Sequence, residues 1–594
     1  MKYRSDVYLC VIGQLKDLHI QISMKAKFIF IALIFSWTAY GQTIKSAETY
    51  ADLLLVNAEI YTVDAAKSWA EAMAIKDGKI IYIGSLQEAK KHQTKLTKII
   101  DCEGRFIMPA FYDLHCHILQ AILDEERYCK IQSSSLEGTI KKIQDGITKQ
   151  KKNIWITGAG YFPELFGETG PNKSLLDSLI PDKPAFFFDI GYHNIWANSR
   201  ALQLANINKE TIYKDHNDWI VKDKITGEPT GWIKEDAREL ITHLAPKPNY
   251  LQADLKYTFS RVAEMLAENG IVSVQDPSSF DINLLKLYHS ADSMGLIKSF
   301  NVSFGLPYLI KNDTLSLDER LSELIKLSKR YQSKNVKTKT VKLFIDGALE
   351  SKTAAVLEPY LNSAQRGTLL YDSLQLKIII QKLDSAGFQL HFHATADRAI
   401  RASLDGIEYA IHINGNNFRR HQIAHANLPH PDDIPRFRKL GVIANMQLWW
   451  MDNSTYYTVL LPSIIGEKRV QQLHPFKSFS NEGTLLSVGS DYPVTPISPF
   501  EALQKAITRK DIDTKDEIII AEKECLDLPE AIAAYTIGGA YAQFMEKEAG
   551  SLEIGKWADF ILLDKNLFAI DPMEIHKTKL LKTFYRGKQV FKNK

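Results

Sequence analysis

The His-Cys-His triplet at 115–117, which closes the apolar run Phe106-Ile-Met-Pro-Ala-Phe-Tyr, constrains this chain more than any other feature. On an extended strand, side chains at i and i+2 share a face, so His115 and His117 offer two imidazoles to one point while Cys116 faces away. That is half of a metal site. The residues able to complete it stand at the ends of other strand-like runs: Lys342 in Val341–Phe344, His393 in Phe388–His393, His425 in Gln422–His425, and Asp491 after Leu485–Ser490. Ligands so distant in sequence become neighbours at one rim of a barrel of parallel strands. Amphipathic stretches such as 251–269 and 374–386 alternate with the apolar runs, the pattern of β/α units in an α/β protein.

Five stretches, FIMPAFYDLHCHILQA at 106–121, VKLFIDGALESKTA at 341–354, HFHATADRAI at 391–400, HQIAHANL at 421–428 and VGSDYPV at 488–494, together resemble the amidohydrolase superfamily. Within it the chain is similar to amidohydrolase family 3, the YtcJ-like metal-dependent hydrolases, and the stretches follow that family's order from about residue 50 to the end. The resemblance implies a (β/α)8 TIM barrel with an inserted subdomain and a small β-sandwich built from both chain ends. It places His115 and His117 on the first barrel strand, Lys342 on the fourth, His393 on the fifth, His425 on the sixth and Asp491 on the eighth.

The implied cofactor is a divalent metal, zinc foremost, as one or two ions. Neutral imidazoles and a carboxylate suit zinc, whereas a lysine ammonium repels a cation. Lys342 therefore contributes only when altered, and relatives with a lysine here carboxylate it to bridge two metals. The implied reaction is hydrolysis of a non-peptide C–N bond in a small molecule: an amide, N-formyl, carbamoyl or cyclic amide group. Metal-activated water attacks, with Asp491 as general base and then acid. Hydrolysis of an ester or lactone at the same site, and a degenerate protein that binds metal and ligand without turnover, are the two alternatives.

Several residues keep two readings. Lys342 also fits a salt-bridged lysine at the rim. His391 shares the strand face of His393; the motif favours His393, with His391 one layer deeper. Asp397 reads as a partner for a histidine or as the cap of the helix from Arg398. His193, in a stretch at 181–202 that resembles the family's insertion motif, is a candidate substrate contact, while Asn198 caps the helix that follows and Glu235 reads as structural. Ala110, Ala396 and Ala424 replace the family's usual Gly, Gly and Glu, and the loss of Glu at 424 removes a hydrogen-bond acceptor for His425. Asn445–Trp450 replaces the usual Gln-Pro-x-His, which makes Trp449 and Trp450 candidate substrate contacts in a more aromatic pocket, or ordinary packing.

The domain reading assigns 42–108 and 546–594 to the discontinuous sandwich and 109–545 to the barrel, with its insertion at about 125–255. Residues 1–41 read as a leader and signal peptide, with the true start at Met24: two lysines, the apolar run 28–37, then small residues at Ala39 and Gly41. The expected location is exported, periplasmic or secreted. The apolar run is shorter than the roughly 20 residues of a membrane span, so no stable span is expected after cleavage. A formal charge of +3 gives no footprint for nucleic acid, five cysteines form no zinc or disulfide spacing, and a homodimer stays open.

Overall fold

A computed structural model describes residues 50–593, apart from 67, 126, 215, 247–253, 278–281, 309–314, 513 and 515–516. The signal-peptide reading lies outside the described residues. Among the described residues, no helix is long and apolar enough to cross a membrane.

Eight parallel strands run in sequence order around a barrel: β1 (Phe111–Asp113), β2 (Ile271–Asp276), β3 (Asn301–Pro307), β4 (Val336–Phe344), β5 (Gln389–Ala396), β6 (Gln422–Leu428), β7 (Ile443–Met446) and β8 (Leu486–Val488). Helices such as Leu255–Glu268, Ser373–Ser385 and Asp397–Asn414 connect them on the outside. This is the (β/α)8 barrel that the spacing of the donor residues demands. Strands buried on both faces need apolar residues outward too, and β5 alternates accordingly: Leu390, Phe392 and Ala394 join the apolar layer, while Gln389, His391, His393 and Thr395 alternate with them.

The seam between the first and last strands is short and closed by backbone. Leu114 N–H donates to Val488 C=O (2.7 Å), Asp491 N–H to His115 C=O (2.6 Å) and His117 N–H to Tyr492 C=O (2.9 Å). The Asp113 carboxylate clasps the same seam, accepting from the Ser490 N–H (2.9 Å) and hydroxyl (2.5 Å).

Beside the barrel, both chain ends share one six-stranded sheet, in which Phe106–Pro109 pairs antiparallel with Phe560–Leu563 and parallel with Glu59–Tyr61. A four-stranded sheet of Leu53–Val56, Ala72–Lys76, Lys79–Gly84 and Lys98–Asp101 covers it. The period of two is visible in one strand. Leu53 and Leu55 pack with Ile107, Phe560 and Phe584 between the sheets, while Leu54 and Val56 pack on the other side with Ala72, Ala74 and Ala89.

Between β1 and β2 the chain builds another six-stranded sheet, from Cys129–Lys130 to Pro229–Lys234. It docks on the loop after β4: Asn194 donates to Ser351 Oγ (2.8 Å), Lys234 to the Ser351 carbonyl (2.9 Å) and Thr353 to Glu235 (2.5 Å).

Phe111 starts β1 and is fully buried, with its ring 5.7 Å from Phe500 and 5.4 Å from Tyr535. Phe111→Ala should cost about 3–5 kcal/mol through the cavity it leaves, read as a lower unfolding midpoint in urea.

Candidate metal centre and active site

The C-terminal ends of β1, β4, β5, β6 and β8 meet at one mouth. His115 Nε2 lies 3.6 Å and His117 Nε2 3.4 Å from Asp491 Oδ1. One donor atom each from His115, His425 and Asp491 lies within 4.8 Å of the other two, close enough to share one ion. The ring centroids of His393 and His425 are 4.5 Å apart, and those of His115 and His425 4.9 Å. Lys342 enters from β4 with its Nζ buried, 5.0 Å from the Phe344 ring and without a hydrogen bond. All six residues named from the sequence therefore converge.

The protonation states in this mouth suit metal ligands. Burial holds His115, His393 and His425 well below the ordinary histidine pKa, so they present lone pairs. Burial also pushes the Lys342 amine down to about 7, against the pull of Asp491. At His117 burial disfavours the imidazolium, yet Asp276 and Asp491 outweigh it and raise the pKa to about 9. A buried array of imidazoles and a carboxylate is the donor set of a divalent metal.

Behind the donors stand residues that hydrogen-bond or face them, and most of these the sequence did not disclose. Gln447 Oε1 accepts from His425 Nδ1 (3.0 Å), which turns His425 Nε2 to the mouth. It supplies from β7 the acceptor that Ala424 no longer provides. Asp346 Oδ1 lies 3.5 Å from His393 Nδ1, its carboxylate held by the N–H groups of Ala355, Thr395 and Ala396. Asp276 Oδ1 lies 3.7 Å from His117 Nδ1 and its other oxygen accepts from Tyr288. Asp397, by contrast, accepts from the Leu357 and Arg398 N–H groups and serves the backbone at the start of its helix. Asp346 and Asp276 sit at the ends of barrel segments like the donors themselves, and that position was the available signal.

The insertion adds a second set. His193 Nδ1 pairs with Glu235 Oε2 at 2.9 Å, and the His193 ring lies 5.2 Å from that of His393. Burial opposes the charge on His193, but Glu235 and then Asp189 raise its pKa. Glu235, read from the sequence as structural, is thus the partner of a residue at the mouth. Asn198 caps the helix Ser199–Leu204. Trp450 stacks on His425 (5.1 Å, 7° between planes). Trp449 is held by other contacts: its indole N–H donates to Glu501 (3.0 Å) and its ring lies under the Lys505 ammonium (3.5 Å).

The backbone is strained at the donors themselves. His425 (φ 73°), Ala426 (42°) and Asp491 (58°) are all left-handed without being glycine, a conformation that persists where surroundings enforce it and that clusters at functional sites.

A barrel mouth holding such donors is that of a metal-dependent hydrolase, and comparison with known proteins adds the C–N bond as the class it acts on. The model of the amidohydrolase family matches residues 98–591, and the chain belongs to that family. It is 30% identical to YtcJ of Bacillus subtilis (strain 168), named an amidohydrolase only provisionally, over 90% of this chain and 98% of that one. It is 25% identical to the N-substituted formamide deformylase of Arthrobacter pascens, over 90% and 97%. A solved structure, an uncharacterized metal-dependent hydrolase from Pyrococcus horikoshii OT3, superposes with TM-score 0.65 at 26% identity, covering 88% of this chain and 99% of that one.

Gly489 marks how tightly the mouth is built, since a Cβ there would stand 2.2 Å from His115 Cβ and 2.6 Å from His115 N. Gly489→Ala should displace His115, lowering bound metal and activity together, checked by elemental analysis of the purified variant.

Proposed function

We propose that this chain hydrolyses a small-molecule amide, N-formyl, carbamoyl or cyclic amide, with Asp491 as the proton carrier and His115, His117, Lys342, His393, His425 and Asp491 holding one or two zinc ions. The observation that carries this reading is the convergence of His115, His425 and Asp491 donors within 4.8 Å, beside a buried Lys342 amine that makes no hydrogen bond.

Zinc held by these residues would supply an acidified water and polarise the substrate carbonyl. Asp491 faces the His115 and His117 imidazoles and lies within the electrostatic reach of the Lys342 amine. It accepts a proton from the attacking water as the new C–O bond forms, then returns that proton to the nitrogen as the C–N bond breaks. His193, held through Nδ1 by Glu235, leaves its Nε2 as the candidate contact for substrate, and Trp450 offers an aromatic wall.

A buried lysine with a depressed pKa has a share of neutral amine, the form that reacts with carbon dioxide. The nitrogen bonds the carbon, a proton leaves, and a would-be cation becomes an anionic carbamate suited to bridging two metals. The formamide relative supports N-formyl compounds as the first class to try. We also hold to export, on the strength of the lysines at 25 and 27 and the apolar run 28–37.

The test is zinc analysis together with a panel of N-substituted formamides, N-acyl amines, hydantoins and lactones. Turnover of the lactones alone would replace the C–N reading with the ester one. Asp491→Asn should lower kcat by about 10²–10⁴, the usual worth of a positioned acid–base group, with the fold kept. Lys342→Ala should leave no more than one zinc per chain, and two would refute the bridge. N-terminal sequencing of the mature protein beginning at Gln42 would support export; an uncleaved N-terminus at Met24 or Met1 would refute it.

A further inference from the structure

We propose that His391 is a positioning residue that fixes the tautomer of His115, so that His115 meets the metal through Nε2; this rests on the metal-site reading above. His391 lies on β5 two residues before His393, in register with Lys342 on β4 and Gln422 on β6, and is fully buried. Its Nε2 lies 3.1 Å from His115 Nδ1, and the two rings meet edge to face at 4.9 Å.

Two imidazole nitrogens at hydrogen-bond distance share one proton, and only one arrangement suits a ligand. If His391 donated, the neutral His115 would carry its own proton on Nε2, the atom that faces Asp491 at 3.6 Å, and that nitrogen would have no lone pair for a metal. With His115 Nδ1–H donating to His391 Nε2, the lone pair of His115 Nε2 points into the mouth. The proton of His391 is then on Nδ1, which makes no hydrogen bond. His391 thus does for His115 what Gln447 does for His425, with a histidine in the place of an amide oxygen.

The test compares His391→Met, which removes the acceptor, with His391→Gln, which retains one at the reach of Nε2. Zinc affinity is read by chelator competition, and site geometry by the visible absorption of the cobalt-substituted protein. His391→Met should bind zinc roughly 10- to 100-fold more weakly, the usual effect of losing such a partner, with an altered cobalt spectrum. His391→Gln should restore both at full metal stoichiometry. Wild-type affinity and spectrum in His391→Met would overturn the proposal, as would the loss of one ion per chain in His391→Gln, which would make His391 itself a ligand. Should His391→Met fail to fold, His391→Asn, too short to reach His115, carries the same expectation and the same refutation. His115→Ala separates the two readings: full zinc binding there overturns the metal site, whereas loss there with none in His391→Met overturns only the role of His391.

Discussion

The closure of the barrel at its seam is the constraint on which the site depends. His115 and His117 leave β1 and Asp491 leaves β8, so the donors from opposite ends of the fold meet only if these short strands lie side by side. The rungs that run from Leu114 to Val488, from Asp491 to His115 and from His117 to Tyr492 pass through the donors' own backbones. Seam and site are therefore one object. Asp113 strengthens it by accepting both the N–H and the hydroxyl of Ser490, and burial lifts that carboxyl to a pKa of about 6 despite those bonds.

Around this seam the barrel interior is more polar than a simple core. Gln422 donates to Gln275 (3.0 Å), and Asn445 donates to Gln422 (2.9 Å) and to the Leu114 carbonyl (3.0 Å). These bonds tie strands of the barrel together, while Gln275 Nε2 and Asn445 Oδ1 stay buried without a hydrogen-bond partner. The three amides lie on β2, β6 and β7, the strands that supply no donor named from the sequence or only one. The barrel thus has a rigid polar layer beneath the donors.

Much of the fold and the donor set was legible in the sequence because each donor terminates a strand-like run and its neighbours form a recognisable stretch. A one-dimensional pattern shows where a strand ends, so His115, His393 and Asp491 could be named before any contact was known. It does not show which side chain from another strand reaches the far nitrogen of a histidine. Gln447 lay in a segment that seemed only to depart from its family. Trp449 and Trp450, adjacent in sequence, face different surroundings because the first is held by Glu501 and Lys505 on the helix Pro499–Thr508. Glu235 reads as structural because its partner His193 lies in the turn before Asn194–Ala197, distant in sequence from the end of Pro229–Lys234, and adjacency of that kind is a tertiary fact.

Phe106–Pro109 lies between a strand made early, Glu59–Tyr61, and one made late, Phe560–Leu563. The first part of that sheet has no late partner strand for as long as the rest of the polypeptide takes to be made. Both this sheet and the ring of parallel strands reach completion only near the end of translation. Completion of the enzyme is thus a late event, and until then the apolar edges of the early strands have no partner from their own chain.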